Sequence, residues 1–217
     1  MAGIHLHTRP MLATSGEPFD SDDWLFEVKW DGIRALAHVR DDGLHVVSRR
    51  GTPLTDHYPE FEELRSAPPG TVIDGEIVVL DAAGRPDFEA ALRRDQPATL
   101  VAFDLLAEAG QNRTADPLEG RRDRLRDCLE SVQMASVQLS EGLIGEGTRL
   151  FQSSVDAGLE GVMAKRRNSR YLPGRRSDAW RKIKRREFLH CVILGYEPAG
   201  KDDLKSLVLG APDADGT

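Results

Sequence analysis

The chain has 217 residues, with 29 Lys and Arg against 36 Asp and Glu, a formal net charge of −7, and 40% apolar and 30% charged residues. That length and balance suit one or two globular domains with a core that needs no staples, which excludes a disordered tail, a collagen-like repeat and a disulfide-held miniprotein. No run of about 18 apolar residues occurs, and Met1–His7 lacks the basic start and long apolar stretch of a secretory leader, so a cytoplasmic protein with no membrane partner is expected.

The elements read as follows in chain order. Trp24–Trp30, Ile33–Val39 and Leu44–Ser48 have the pattern of short strands, joined at Asp31-Gly32 and Asp41-Asp42-Gly43, and predict an antiparallel meander. Asp56 is a candidate N-cap for a helix over Tyr58–Arg65. Thr71–Leu80 and the nearly all-apolar Thr99–Leu106 read as further strands, the second central. Asp116-Pro117 opens a helix with Leu118, Leu125, Leu129 and Val132 on one side, and Gly147–Gly158 is helical around Leu150, Phe151 and Val155. Leu189–Tyr196 and Leu204–Gly210 are strand-like, and Ala211–Thr217 has loop composition. Strands dominate without regular strand-helix alternation, so the predicted class is α+β, built on antiparallel sheets flanked by helices.

Charge is unevenly spread. From Lys165 to Arg186 there are eleven basic residues and one acid, Asp178, so this segment carries +10 and the remainder −17. Local fields of this kind steer polyanions even where the net charge is negative, although a solvated basic loop has the same composition. Cys128 and Cys191 are far apart with no metal spacing and read as ordinary small apolar residues. The six histidines, His5, His7, His38, His45, His57 and His190, are read as structural or incidental, and no Gly-rich phosphate loop of the P-loop kind is present.

The sharpest local feature is Glu27-Val28-Lys29-Trp30-Asp31-Gly32-Ile33-Arg34. A lysine ending an apolar strand before an Asp-Gly turn sits at a sheltered pocket mouth, where an amine becomes a nucleophile. Around it lie Arg9-Pro10-Met11-Leu12-Ala13, Ser48-Arg49-Arg50-Gly51, Asp74-Gly75-Glu76-Ile77-Val78, Ala102-Phe103-Asp104-Leu105-Leu106, Glu160-Gly161-Val162-Met163-Ala164-Lys165 and Trp180-Arg181-Lys182-Ile183-Lys184. In this order, across nearly the whole chain, the motifs resemble the adenylation (nucleotidyltransferase) domain of bacterial ATP-dependent DNA ligases of the break-repair, end-joining type.

That resemblance implies an ATP-grasp-like nucleotidyltransferase domain over residues 1–187 and the first strands of an oligonucleotide-binding β-barrel over 188–217. It implies that Lys29 attacks the α-phosphate of ATP to give a lysyl-AMP, with AMP then passed to the 5′-phosphate of nicked double-stranded DNA. Glu76 and Glu160 match the carboxylates that hold a divalent metal, Mg or Mn, and the ribose. Lys182 and Lys184, on one face of a strand, match the lysines on the α-phosphate. Phe103 matches the aromatic stacked on adenine, with Val162 or Met163 closing the other side. Arg34 is expected to touch the ribose or the nicked strand, Asp31 to orient the lysine pocket, and Glu27 to assist adenine recognition. Arg49 and Arg50 match the arginines that contact the DNA 5′-phosphate. The family implies a monomer in the bacterial cytoplasm, associated with the nucleoid, working with other end-joining or repair proteins.

One departure stands out. The family follows this domain with a complete β-barrel bearing a last basic motif, and two strands do not close such a barrel, so slow self-adenylation and poor sealing are expected of the chain alone. Two other readings share part of the pattern. RNA ligases and capping guanylyltransferases use the same Lys-x-Asp-Gly logic, and a non-catalytic nick-binding module derived from a ligase differs in class but has no need of Lys29, Glu76, Glu160 and Lys184 together.

Overall fold

A computed structural model describes residues 4–94, 96–132, 135–186, 191–200 and 203–211. The described elements are β1 (Leu12–Ser15), β2 (Ser21–Val28), β3 (Ile33–Arg40), β4 (Gly43–Ser48), β5 (Val72–Val78), α1 (Phe88–Arg93), β6 (Thr99–Glu108), β7 (Gln111–Asn112), α2 (Leu118–Val132), β8 (Val137–Leu139), β9 (Gly142–Gly145), α3 (Gly147–Asp156), β10 (Gly161–Arg166), β11 (Arg176–Lys184), β12 (Val192–Pro198) and β13 (Leu204–Gly210). The chain divides into two compact units, Met1–Lys184 and Arg185–Thr217.

In the first unit two sheets face each other. One has the strand order β1-β11-β10-β2-β9, the other β4-β3-β5-β6-β7 with β8 also paired to β6. Alternation along each strand sorts the side chains into layers. Phe26, Val162, Ala164 and Ile183 leave the first sheet on its outer face and pack with Leu150 and Phe151 of α3. Met11, Leu36, Phe103, Leu106, Tyr171 and Trp180 fill the space between the sheets. The outer face of the second sheet, with Ala35, Ala37, Ile73 and Leu105, packs on Leu125 and Leu129 of α2 and on Phe61 and Leu64.

The α+β class and the flanking helices agree with the sequence reading, while three local expectations are corrected. First, the predicted meander is broken: β2 belongs to the first sheet, and the chain crosses between sheets at Lys29–Gly32 before β3 pairs with β4 and β5. Second, the sheets are mixed, because β1 runs parallel to β11 and β8 parallel to β6. Third, the helix after Asp56 is a 3₁₀ helix, Pro59–Ser66, with Tyr58 rather than Asp56 at its N-cap. Tyr58, Phe61, Leu64 and Ala67 are all buried at a strict spacing of three, which a 3.0-residue turn satisfies and a 3.6-residue turn does not. The short α1 has a side-chain cap, Asp87 Oδ1 accepting from Ala90 N at 2.8 Å.

In the second unit β12 and β13 form an antiparallel pair of their own, beginning at Val192 where the sequence placed Leu189; residues 187–190 lie outside the described set, as does His190. Large apolar side chains of this pair, including Val192, Leu194, Tyr196 and Leu207, are exposed. Among the described residues no helix is long and apolar enough to cross a membrane.

His38 on β3 is buried, and its Nε2 has no hydrogen-bond partner. Burial, with the charges of Arg40 and His45, pushes its pKa down from 6.5 to about 4. Between these values the unfolded chain binds a proton that the folded chain refuses, so stability falls as pH drops from about 6.5 to 4, by up to about 3 kcal/mol. Denaturant titrations across that window are expected to show the slope in the wild type and to lose most of it in His38→Gln.

Candidate active site

A cavity of about 280 Å³ opens between the sheets and is lined by residues from separate chain segments, among them Glu27, Lys29, Arg34, Arg49, Glu76, Phe103, Met163, Lys165, Lys182 and Lys184. Strand register explains much of this set. Glu27 pairs with Met163, and Met163 with Lys182, so one row across β2, β10 and β11 presents three cavity residues. On the opposing sheet Arg34 pairs with Glu76. Alternation on β10 sends Met163 and Lys165 to the cavity and Val162 to the α3 layer, which decides between Val162 and Met163 as cavity-facing residues.

Lys29 sits where the backbone leaves the first sheet, its N–H donating to Gly161 O at 2.9 Å. The turn is shaped by glycine: a Cβ on Gly32 would lie 2.2 Å from Ile77 O, so no side chain fits there without moving β5. Gly161 has φ +139° and a Cβ there would lie 2.1 Å from Ile183 O, which keeps β10 and β11 close beside the lysine. The Lys29 Nζ contacts Glu160 Oε2, and Lys184 Nζ contacts Glu160 Oε1, so one carboxylate is shared by two ammonium groups. Burial tends to raise the Glu160 pKa, but the hydrogen bonds from Lys184 and Lys29 outweigh it and hold the carboxyl below its ordinary value. Glu160 itself does not line the cavity and reaches it through these two lysines.

Glu76 has a different environment. Burial pushes its carboxyl up to about 7, against the opposing charges of Arg34 and Lys29. Arg34 is gripped by Asp74, through Nε to Oδ1 at 2.6 Å and Nη2 to Oδ2 at 2.7 Å. Burial works against the Arg34 charge, yet Asp74 prevails and its pKa lies above the ordinary value. Tyr171 OH donates to Asp74 Oδ2 at 2.6 Å and accepts from Met11 N at 2.9 Å, tying the N-terminal segment to this pair.

The deep end of the cavity is aromatic and charged. Phe103 is 7% exposed, with the Arg34 guanidinium 4.5 Å and Lys165 Nζ 4.0 Å from its ring centroid. Lys165 Nζ is also 4.5 Å from the Trp180 ring and 2.5 Å from Glu27 Oε2. The two groups are thus a buried ion pair at the floor of the cavity. Burial pulls the Lys165 ammonium below its ordinary pKa despite the Glu27 charge.

A second cavity of about 720 Å³ shares Pro10, Leu12, Arg34, Arg49 and Glu76 with the first and adds Arg9, Arg50 and Arg94. Asp31 stands apart: it is exposed and lines neither cavity, although its charge contributes to the raised Glu76 pKa.

Residues 10–184 match the family model described as the ATP dependent DNA ligase domain. The chain belongs to this family. The ligase domain is 33% identical over 211 residues to the SPbeta prophage-derived DNA ligase-like protein LigB of Bacillus subtilis, covering 94% of this chain and 76% of that protein. It is 37% identical over 216 residues to the multifunctional non-homologous end joining DNA repair protein LigD of Mycobacterium tuberculosis, covering 95% of this chain but 28% of that longer protein. Among solved structures, mycobacterial DNA ligase D complexed with ATP and MES superposes with a TM-score of 0.76 at 36% identity, covering 96% of this chain and 69% of that one. The chain is thus an ATP-dependent DNA ligase domain of the LigD type.

Sequence reasoning missed several residues of the ligase domain's cavity. Lys165 ends the Glu160 motif and shares the parity of Met163, a signal that the strand pattern offered. Asp74 holds Arg34, Tyr171 holds Asp74, and Arg122 of α2 holds Glu27; no spacing in the sequence links these pairs.

Proposed function

We propose that this ligase domain transfers AMP through a covalent bond to Lys29. The observation that carries the reading is the convergence of Lys29, Glu76, Lys182 and Lys184 on one cavity, with Glu160 bridging Lys29 to Lys184. In the first step the neutral Lys29 amine gives its lone pair to the α-phosphorus of ATP, loses a proton, and the bond to the β-phosphate oxygen breaks to release pyrophosphate. In the second, an oxygen of a DNA 5′-phosphate attacks the same phosphorus and the P–N bond breaks, returning the amine. In the third, the 3′-hydroxyl across the nick attacks the DNA phosphorus and AMP leaves.

Lys182 and Lys184 neutralise charge on the α-phosphate, and Arg49 and Arg50, beside the second cavity, hold the 5′-phosphate of nicked duplex DNA. Phe103 and Met163 sandwich the base, which takes the place of one of the two cations now on the Phe103 ring. Glu27 accepts from the 6-amino group of adenine while Lys165 donates to N1; guanine presents the opposite pattern at both positions. Arg34, fixed by Asp74, is aimed at the ribose or the acceptor strand.

The donor set fits a hard divalent cation. Glu76 and Glu160 offer carboxylate oxygens, the donors such an ion takes, with substrate phosphate and water left to complete its shell. Mg or Mn held by these two carboxylates would polarise the α-phosphate. The second unit, with its exposed apolar strands, is read as the start of an oligonucleotide-binding barrel, the first domain ending near residue 187.

Intact mass spectrometry after incubation with ATP and Mg²⁺ tests the reading. One added AMP, chased from the protein onto the 5′-phosphate of a nicked duplex, is expected; no adduct with either metal at any incubation time would overturn it.

A further inference from the structure

Glu27 makes a recognising group only if its carboxylate is fixed, and β2 alone does not fix it. Its Oε1 is taken at 2.5 Å by Arg122 Nη1, which comes from α2, outside every motif of the site. The same Nη1 reaches Phe103 O at 3.2 Å, and Nη2 reaches Ser140 O at 2.6 Å. Arg122 is 5% exposed, and one guanidinium therefore joins a cavity residue of the first sheet, the backbone under the cavity aromatic of the second, and the carbonyl that follows β8. Its planar fork suits three acceptors at fixed angles in a way that a lysine cannot match. With Oε1 so occupied, Oε2 is the carboxylate atom left to the cavity side, where the Lys165 ammonium lies 2.5 Å away and both residues line the cavity. A carboxylate oxygen has two lone pairs, so Oε2 keeps the capacity to accept from a donor that enters the cavity beside Lys165.

We propose that Arg122 is a positioning residue for nucleobase selection: it turns the Glu27 carboxylate so that Oε2 meets the exocyclic amine of adenine, and it holds Glu27 and Phe103 in fixed relation across the two sheets. The proposal rests on the reading of Glu27 as the acceptor for the 6-amino group. It places base discrimination under the control of a helix that contributes no side chain to the cavity lining.

The test is calorimetric binding to the full chain of two triphosphates with an α,β-methylene bridge, one carrying adenine and the other purine, which lacks the 6-amino group. Wild type is expected to prefer the adenine compound by about tenfold or more, the scale of one charge-assisted hydrogen bond to a buried group. Arg122→Gln is expected to bring the two affinities within about threefold by weakening the adenine compound selectively, as for loss of one specific hydrogen bond. Equal weakening of both compounds, or retained preference, would show a merely structural role and overturn the proposal. Should Arg122→Gln show no cooperative melting transition, Arg122→Lys takes its place; it keeps a cation near Glu27 but cannot reach Phe103 O and Ser140 O together, so an intermediate preference is expected and an unchanged one overturns the proposal. Wild type that binds both compounds equally would sink the Glu27 reading, and with it this one; wild type that binds neither would sink the nucleotide site itself.

Discussion

Lys29→Arg is expected to leave the protein folded and to remove the AMP adduct entirely. An arginine retains a cation for Glu160, so the carboxylate shared with Lys184 keeps both its partners and the cavity keeps its charge. What it lacks is a lone pair, because a guanidinium stays protonated at any pH the fold tolerates. Adduct formation should drop by on the order of 10⁴-fold or more, the scale seen when a covalent nucleophile is deleted. Lys29→Ala should be equally inactive, while leaving Glu160 to Lys184 alone. Thermal melts and ATP binding separate chemistry from folding: both are expected near wild type for Lys29→Arg. An adduct persisting in both variants would move the nucleophile elsewhere.

The largest effect on stability is expected at Arg121 and Asp104. Both are fully buried, with Arg121 Nε to Asp104 Oδ1 at 2.7 Å and Nη2 to Asp104 Oδ2 at 2.8 Å, while Nη1 serves Asp116 O and Ser169 O. This one side chain ties α2 to β6 and to the loop between β10 and β11. Arg121→Met strands a buried carboxylate, and Asp104→Leu strands a buried guanidinium, so each should cost about 3–5 kcal/mol in denaturant unfolding. The double variant removes both charges together, and it should recover a large part of that loss, since desolvation of the pair is no longer required. Additive losses in the double variant would mean that packing, not charge, sets the cost.

Lys29, Glu76, Lys182 and Lys184 reach the cavity from short contiguous motifs, the last three by strand parity and Lys29 from the crossover that follows β2. The helices α2 and α3 were legible from their apolar spacing. The meander failed because a strand, a two-residue turn and another strand have the same local pattern whether or not the chain changes sheets; only the packing around Gly32 distinguishes the two. The 3₁₀ helix was hidden because an apolar spacing of three, as at Tyr58, Phe61 and Leu64, suits a short stretch of either helix type. Asp31, singled out for its motif, is exposed and outside both cavities, whereas Arg122, in no motif, is bonded to the cavity residue Glu27. Ion pairs between elements 95 residues apart leave no trace in local pattern.

The basic segment from Lys165 to Arg186 carries a formal +10, but the fold spends part of that charge internally. Lys165 is closed against Glu27, Lys184 against Glu160, and Arg167 lies 2.9 Å from Glu119, while Arg181 rests over the rings of Phe19 and Trp24. Only cations that exchange solvent ions for DNA phosphates release counterions on binding. The dependence of DNA affinity on salt is therefore set by a smaller number than composition gives, because part of this segment's charge is already discharged by the protein's own carboxylates.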